Sequence, residues 1–126
     1  MNQVHEFPLG IYPYSLWVCC DTKAASLDAY FSTASEETFG QMPNGTAATT
    51  YEVETAEPPQ RAGVLIRFNK RSDISYGFVA HEAAHAAIII TTWIKESVTY
   101  EHQEPFAYLV GYIADCCKQI LTFKKS

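Results

Sequence analysis

The segment His81-Glu82-Ala83-Ala84-His85 places two imidazoles four residues apart, with a carboxylate between them. On an α-helix, such residues lie on one face with Cβ atoms about 5–6 Å apart, so both rings can bind one zinc ion at ~2.0–2.1 Å. Glu82 lies about 100° around the helix from His81, which suits a base that takes a proton from water better than it suits a third ligand. The pattern predicts one Zn²⁺ per chain on His81 and His85, with Glu82 as the catalytic base.

A catalytic zinc site needs a third protein ligand and an open position. Downstream of the histidines, the candidates are Glu101, His102, Glu104 and Asp115. We favour Glu104, because the connection before it is long enough to run back and bring it beside the histidines. Asp115 is the alternative ligand, since a tight hairpin between the two helices would bring it opposite His85.

Other side chains near this set are candidates for supporting roles. If Glu104 is a ligand, Tyr108 and Asp115 share its helix face and can orient an imidazole through its free N–H. A donor to the developing oxyanion is also needed. The sequence does not select among Tyr76, Tyr100, His102 and Tyr112 for that role.

Two predicted helices carry these residues. Asp73 is a plausible N-cap for a helix over residues 74–97. Pro105 fits the first turn of a second helix over residues 104–123. The histidines therefore lie on the first helix, and Glu104 begins the second.

The rest of the chain predicts a small sheet. Residues 14–20, 48–55 and 63–69 have the apolar or alternating composition of strands. Residues 21–34 predict a helix between the first two strands, and the turn formers of the first dozen residues indicate an irregular arm. We therefore predict one α+β domain over residues 1–126, with a sheet of about three strands, a helix between strands 1 and 2, and two C-terminal helices that carry the zincin motif.

Composition excludes several classes of protein. The chain has 126 residues, 48% of them hydrophobic, and a net charge of −5. No apolar run approaches the ~20 residues of a membrane span, and the N-terminus lacks the pattern of a secretion signal. The acidic balance argues against binding to nucleic acid. We expect a soluble cytoplasmic protein that has no membrane partner.

The four cysteines form two adjacent pairs, Cys19-Cys20 and Cys116-Cys117. Neither pair has the two-residue gap of structural zinc sites or redox motifs. We interpret them as small, partly buried apolar residues in a reducing compartment. A disulfide between the pairs stays open at this point.

The motif resembles that of thermolysin-type gluzincins, in which a glutamate on the next helix completes the HExxH set, here Glu104-Pro-Phe-Ala107. The chain is also similar to small HExxH proteins of bacteriophages and prophages. The stretches that carry this second resemblance are residues 11–18, 63–68, 80–86 and 104–112. It implies a minimal zincin fold with zinc on His81, His85 and Glu104, and Glu82 as general base. In place of the aspartate of the thermolysin type, the position four after the glutamate holds Tyr108.

These patterns predict a zinc-dependent hydrolase, most simply a metallopeptidase whose substrate is a peptide or protein. If the protein is encoded by a phage, its compartment is the cytosol of the host cell. The alternative is a non-catalytic zinc-binding module that holds another protein, because the chain has no second subdomain to wall a substrate cleft. The sequence does not predict the oligomeric state.

Overall fold

A mixed sheet of five strands forms the centre of the fold in the computed structural model, which describes residues 3–123. The spatial order is β1-β2-β5-β4-β3. Neighbours β2 and β5 are parallel, and the other pairs are antiparallel. The strands are β1 Val4–Pro8, β2 Ser15–Cys20, β3 Phe31–Thr33, β4 Ala48–Thr55 and β5 Ala62–Phe68.

Three α-helices accompany the sheet, so the class is α+β. They are α1 Ala24–Tyr30, α2 Tyr76–Trp93 and α3 Glu104–Gln119. Short 3₁₀ turns lie at Arg71–Asp73 and Ile120–Thr122. Within residues 3–123, none of the helices has the length and apolar character needed to cross a bilayer.

The prediction of about three strands was wrong, first because the N-terminal arm contains β1. This strand pairs antiparallel with β2, from Val4 opposite Cys19 to Pro8 opposite Ser15. β1 is an edge strand, where a terminal proline is tolerated because no ladder hydrogen bond needs its missing N–H. The turn formers that indicated an irregular arm instead end β1 and make the turn into β2.

The second unpredicted strand, β3, interrupts the helix expected over residues 21–34. α1 ends at Tyr30, and the next residue, Phe31, is extended and pairs with Thr55 of β4. The ring of Phe31 lies 5.0 Å from that of Trp17 in an edge-on contact. This buried contact overrides the local helical spacing, and α1 therefore lies between β2 and β3.

The two C-terminal helices are shorter than predicted. Asp73 belongs to the 3₁₀ turn, so Ser75 and not Asp73 precedes the first turn of α2. The helix ends at Trp93, and Lys95 then adopts a left-handed conformation with φ 59°, a common way to terminate a helix. α3 begins at Glu104 as predicted, with Pro105 in its first turn.

Apolar clusters cover both faces of the sheet. On one face, α2 packs through Ala83, Ala86 and Ala87, whose small side chains let the helix approach the strands closely. α3 adds Leu109 and Ile113 to the same cluster. The cluster on the opposite face contains Trp17, Cys19, Leu27, Phe31, Phe39, Val53 and Leu65.

All four cysteines are free thiols, so no disulfide joins the two pairs. Cys19, Cys116 and Cys117 are buried, and Cys20 is half-buried. Burial raises the pKa of Cys19 and of Cys117 to about 12, from an ordinary value of 9.0. Both thiols therefore stay protonated in the folded chain well above the pH at which they ionise in the unfolded chain.

We expect the free energy of unfolding to fall as the pH rises from 9 towards 12. In that range the unfolded chain releases the protons of Cys19 and Cys117 while the folded chain keeps them, so the unfolded state gains stability. At pH 10, the loss should be about 1.4 kcal/mol for each thiol. Urea unfolding at pH 7 and pH 10 measures it.

The variant Cys19→Ala/Cys117→Ala is the matched control for other groups that titrate in the same range. It should be less stable at pH 7 because it leaves cavities, but it should lose less of its stability between pH 7 and pH 10. An equal loss in both proteins would contradict the assignment to these thiols.

Candidate metal centre

Helix α2 places His81 and His85 one turn apart on its solvent-exposed side. Their Nε2 atoms are 3.1 Å apart, and the rings meet edge to face with centroids 4.7 Å apart. The four-residue spacing alone brings the side chains to one face, but the rotamers bring the two nitrogens together. The sequence-predicted pair is thus assembled in the fold.

The separation of the two nitrogens fits a shared metal ion. Two nitrogens bound tetrahedrally to one zinc at ~2.0–2.1 Å are about 3.3 Å apart. The 3.1 Å between Nε2 of His81 and Nε2 of His85 is close to this value. Small changes in the two side chains would let both nitrogens act as ligands, so this part of the donor set fits zinc.

The side chain of Glu82, which follows His81 on the helix, enters the contact between α2 and the sheet. Only 6% of the residue is exposed. Thr50 of β4 donates a hydrogen bond of 2.7 Å from Oγ1 to Glu82 Oε1. The other carboxylate oxygen, Oε2, lies 3.9 Å from Nε2 of His81. One oxygen is therefore anchored by the sheet, and the other lies near the metal-ligating edge of the imidazole.

The charge of Glu82 also affects the ionisation of Cys117 on α3. Cys117 on α3 has its pKa raised first by burial, and the nearby charges of Cys116 and Glu82 add to the effect. A buried carboxylate needs hydrogen-bond donors to offset its desolvation, and Thr50 supplies the one side-chain donor within 3.5 Å among residues 3–123. This makes Thr50 important for the position of Glu82.

An open groove of about 490 Å³ lies beside His81. His81 and Glu82 line it together with Ala47, Ala48 and Phe78, which contribute apolar surface. A molecule in this groove would contact both the imidazole and the buried carboxylate.

The third predicted ligand is not assembled with the pair. Glu104 is exposed at the start of α3, and Asp115 is exposed further along the same helix. Residues 3–123 contain no group of three or more His, Cys, Asp or Glu side chains that could hold a metal ion. The described residues thus do not confirm a zincin motif on α2 and α3, and Glu104 as a ligand stays a prediction.

The candidates for supporting roles lie mostly in solvent. Tyr100 is 86% exposed and Tyr108 is 76% exposed. The imidazole of His102 pairs with Glu96 in the connection between α2 and α3. The hydroxyl of Tyr112 donates to the carbonyl oxygen of Pro8, which ties α3 to the end of β1. None of these contacts reaches His81 or His85.

Thr50 is the site residue that sequence reasoning missed. It lies on a correctly predicted strand, β4, and the alternation of side chains there puts Thr50 and Glu52 on the face towards α2. A polar residue on the helix-facing side of a strand was the available signal. This signal could be interpreted only once the packing of α2 against β4 was known.

No protein-family model, curated protein or solved structure matched this chain. The resemblance to HExxH proteins therefore stays a prediction based on the motif residues.

We expect Thr50→Val to lower the free energy of unfolding by about 1–3 kcal/mol, because valine leaves the buried Glu82 Oε1 without its donor. Thr50→Ser keeps the hydroxyl and should lose less. Urea unfolding at pH 7, followed by circular dichroism, measures both.

Thr49→Val is the matched control, since the same change falls on the next residue, whose side chain lies on the other face of β4. If Thr50→Val is as stable as Thr49→Val, the hydrogen bond does not stabilise the carboxylate as described.

Proposed function

We propose that this protein is a zinc-dependent hydrolase that cleaves peptide bonds. The observation that carries the proposal is the convergence of three groups: Nε2 of His81 and of His85 lie 3.1 Å apart, and Glu82 Oε2 lies 3.9 Å from Nε2 of His81. Two imidazoles that can bind a metal, next to a carboxylate held in place by a hydrogen bond, suit metal-assisted hydrolysis. In this proposal Glu104 is the third ligand, and Asp115 is the alternative.

The residues of the chain divide the chemistry between them. When bound, zinc supplies Lewis-acid chemistry that makes water a nucleophile at neutral pH and polarises a carbonyl group. Glu82 Oε2 accepts the proton that the attacking water loses, while Thr50 holds Oε1 and so fixes the orientation of the carboxylate. When the C–N bond breaks, Glu82 returns the proton to the leaving amine nitrogen.

An extended peptide fits the surface beside this site. β3 pairs with β4 only over residues 53–55, and Ala34 N adds one hydrogen bond to Glu52 O. Alternation along the strand turns the backbone groups of Ala48 and Thr50 to the same outer edge, and they have no backbone partner there within residues 3–123. A free strand edge can bind an extended peptide through main-chain hydrogen bonds. This edge lies next to the groove that Ala48 lines.

The second candidate function is a zinc-binding interaction module without catalytic activity. It is favoured by two large apolar side chains on the exposed side of α2, Phe78 and Ile88, which are 47% and 53% exposed. They lie at helical spacing on either side of the two histidines. Exposed apolar residues around a metal site can belong to a binding surface.

The proposal includes a cytoplasmic location, in the host cell if the chain is phage-encoded. Its support is the free state of all four cysteines, since thiols persist in reducing compartments. A peptide or protein is the proposed substrate, and neither nucleic acid nor a membrane is part of the proposal.

We expect the zinc-loaded protein to cleave peptides in an unstructured peptide library, and Glu82→Gln to lower kcat by about 10²–10⁴-fold. The amide keeps the size of the side chain and can still meet Thr50, but it cannot accept a proton from water. Zinc content should stay unchanged, because Glu82 is not proposed as a ligand.

Glu57→Gln is the control, since it makes the same change at an exposed position in the connection from β4 to β5. Equal turnover in Glu82→Gln and Glu57→Gln would contradict the mechanism. Bound zinc with no turnover on any peptide would favour the interaction module instead.

A further inference from the structure

A second pocket lies on the face of the sheet opposite to α2. It shares no lining residue with the groove beside His81. Its volume is about 290 Å³. It is formed where β2 and β5 end: Thr22 and Lys23 follow β2, and Asn69 follows β5. These two strands are parallel, and ligands of open α/β sheets commonly bind beyond the carboxyl ends of parallel strands.

Arg67 places a buried positive charge at this pocket. The residue is only 4% exposed and is the last but one residue of β5. Its Nη1 donates to the carbonyl oxygen of Gly40 at 2.8 Å and contacts the hydroxyl oxygen of Tyr51 at 3.5 Å. Both contacts are to neutral groups. Among residues 3–123, no carboxylate lies within 4.0 Å of this buried guanidinium.

Arg67 lines the pocket, and two of its three guanidinium nitrogens make no hydrogen bond among the described residues. A guanidinium carries N–H donors on three nitrogens, and both contacts above use Nη1. Nε and Nη2 have no hydrogen-bond partner among the described residues. The one fully enclosed side-chain atom without a partner in those residues is Trp17 Nε1. Nε and Nη2 are not among these fully enclosed atoms, so they are the donors that Arg67 offers to a ligand in the pocket it lines.

The other polar groups around the pocket fit an anion. Lys23 adds a second positive charge, and the side chains of Gln41 and Asn69 add amide donors. One carboxylate, that of Asp21, also lines the pocket. Burial raises the pKa of Cys20 to about 11, and the nearby negative charge of Asp21 adds to the effect.

We propose that this pocket is a binding site for a small oxyanion, the phosphate or carboxylate group of a small molecule. A buried guanidinium needs an anionic partner to offset its desolvation, and its planar donors match the two oxygens of such a group. The volume lies at the lower limit of ligand pockets, about 300 Å³, so the ligand is small. The site is independent of the proposed hydrolase and uses none of its residues.

The test is a titration of the full chain with inorganic phosphate at constant ionic strength, followed by ¹H–¹⁵N NMR. We expect saturable shifts of the backbone amides of Thr22, Lys23, Gln41 and Asn69 and of the Nε–H of Arg67. A parallel titration with acetate separates the two ligand groups. Saturation by both anions assigns the site to oxyanions in general, and saturation by one of them assigns it to that group.

Variants establish which side chains bind the anion. Arg67→Lys keeps a charge but loses the planar fork, and it should weaken binding about tenfold. Lys23→Met should weaken it about two- to fivefold, because Lys23 is exposed. Asp21→Asn removes the negative charge and should tighten it by a similar factor.

Lys70→Met is the control for general electrostatics, since Lys70 is exposed and does not line the pocket. Lys23 is exposed, so its variant keeps the test decisive even if Arg67→Lys unfolds. The proposal is overturned if neither anion gives saturable shifts at these residues. It is also overturned if Lys23→Met and Lys70→Met weaken binding equally.

Discussion

The hydrogen bond from Thr50 Oγ1 to Glu82 Oε1, 2.7 Å long, is the contact on which the geometry of the candidate metal centre depends. It joins the first half of β4 to the first half of α2 and holds a buried carboxylate between them. With Glu82 turned towards the sheet, the 100° step of the helix turns His81 outwards. His85 follows His81 by four residues and so lies on the same side of the helix, where the two Nε2 atoms converge.

The inner face of helix α2 therefore packs in the core, and its outer face carries the two histidines. The alanines of its inner face keep the helix close to the strands, which is what lets the short side chain of Thr50 reach the carboxylate. The two imidazoles on the outer face remain accessible, and the side chain of His81 is 66% exposed. The proposed anion pocket lies on the other side of the sheet, at the ends of β2 and β5. One sheet thus separates two chemically unlike sites.

The parts of this arrangement that could be predicted from the sequence are those with a local signal. β4 was predicted with its observed bounds, and the start of α3 at Glu104 was also correct. β1 and β3 were missed because their signals are tertiary: an edge pairing for Val4–Pro8 and a ring contact with Trp17 for Phe31. The histidine pair followed from spacing alone. Thr50 and Arg67 gained their meaning only from which strands and helices face each other.

The central claim is that His81 and His85 hold zinc, and metal content tests it most directly. The protein would be loaded with zinc, dialysed, and analysed for zinc per chain. We expect one zinc ion per chain in the natural protein, none in His81→Ala/His85→Ala, and one in His5→Ala/His102→Ala, which removes the other two histidines. A natural chain without zinc, or a His81→Ala/His85→Ala variant that keeps it, would contradict the claim.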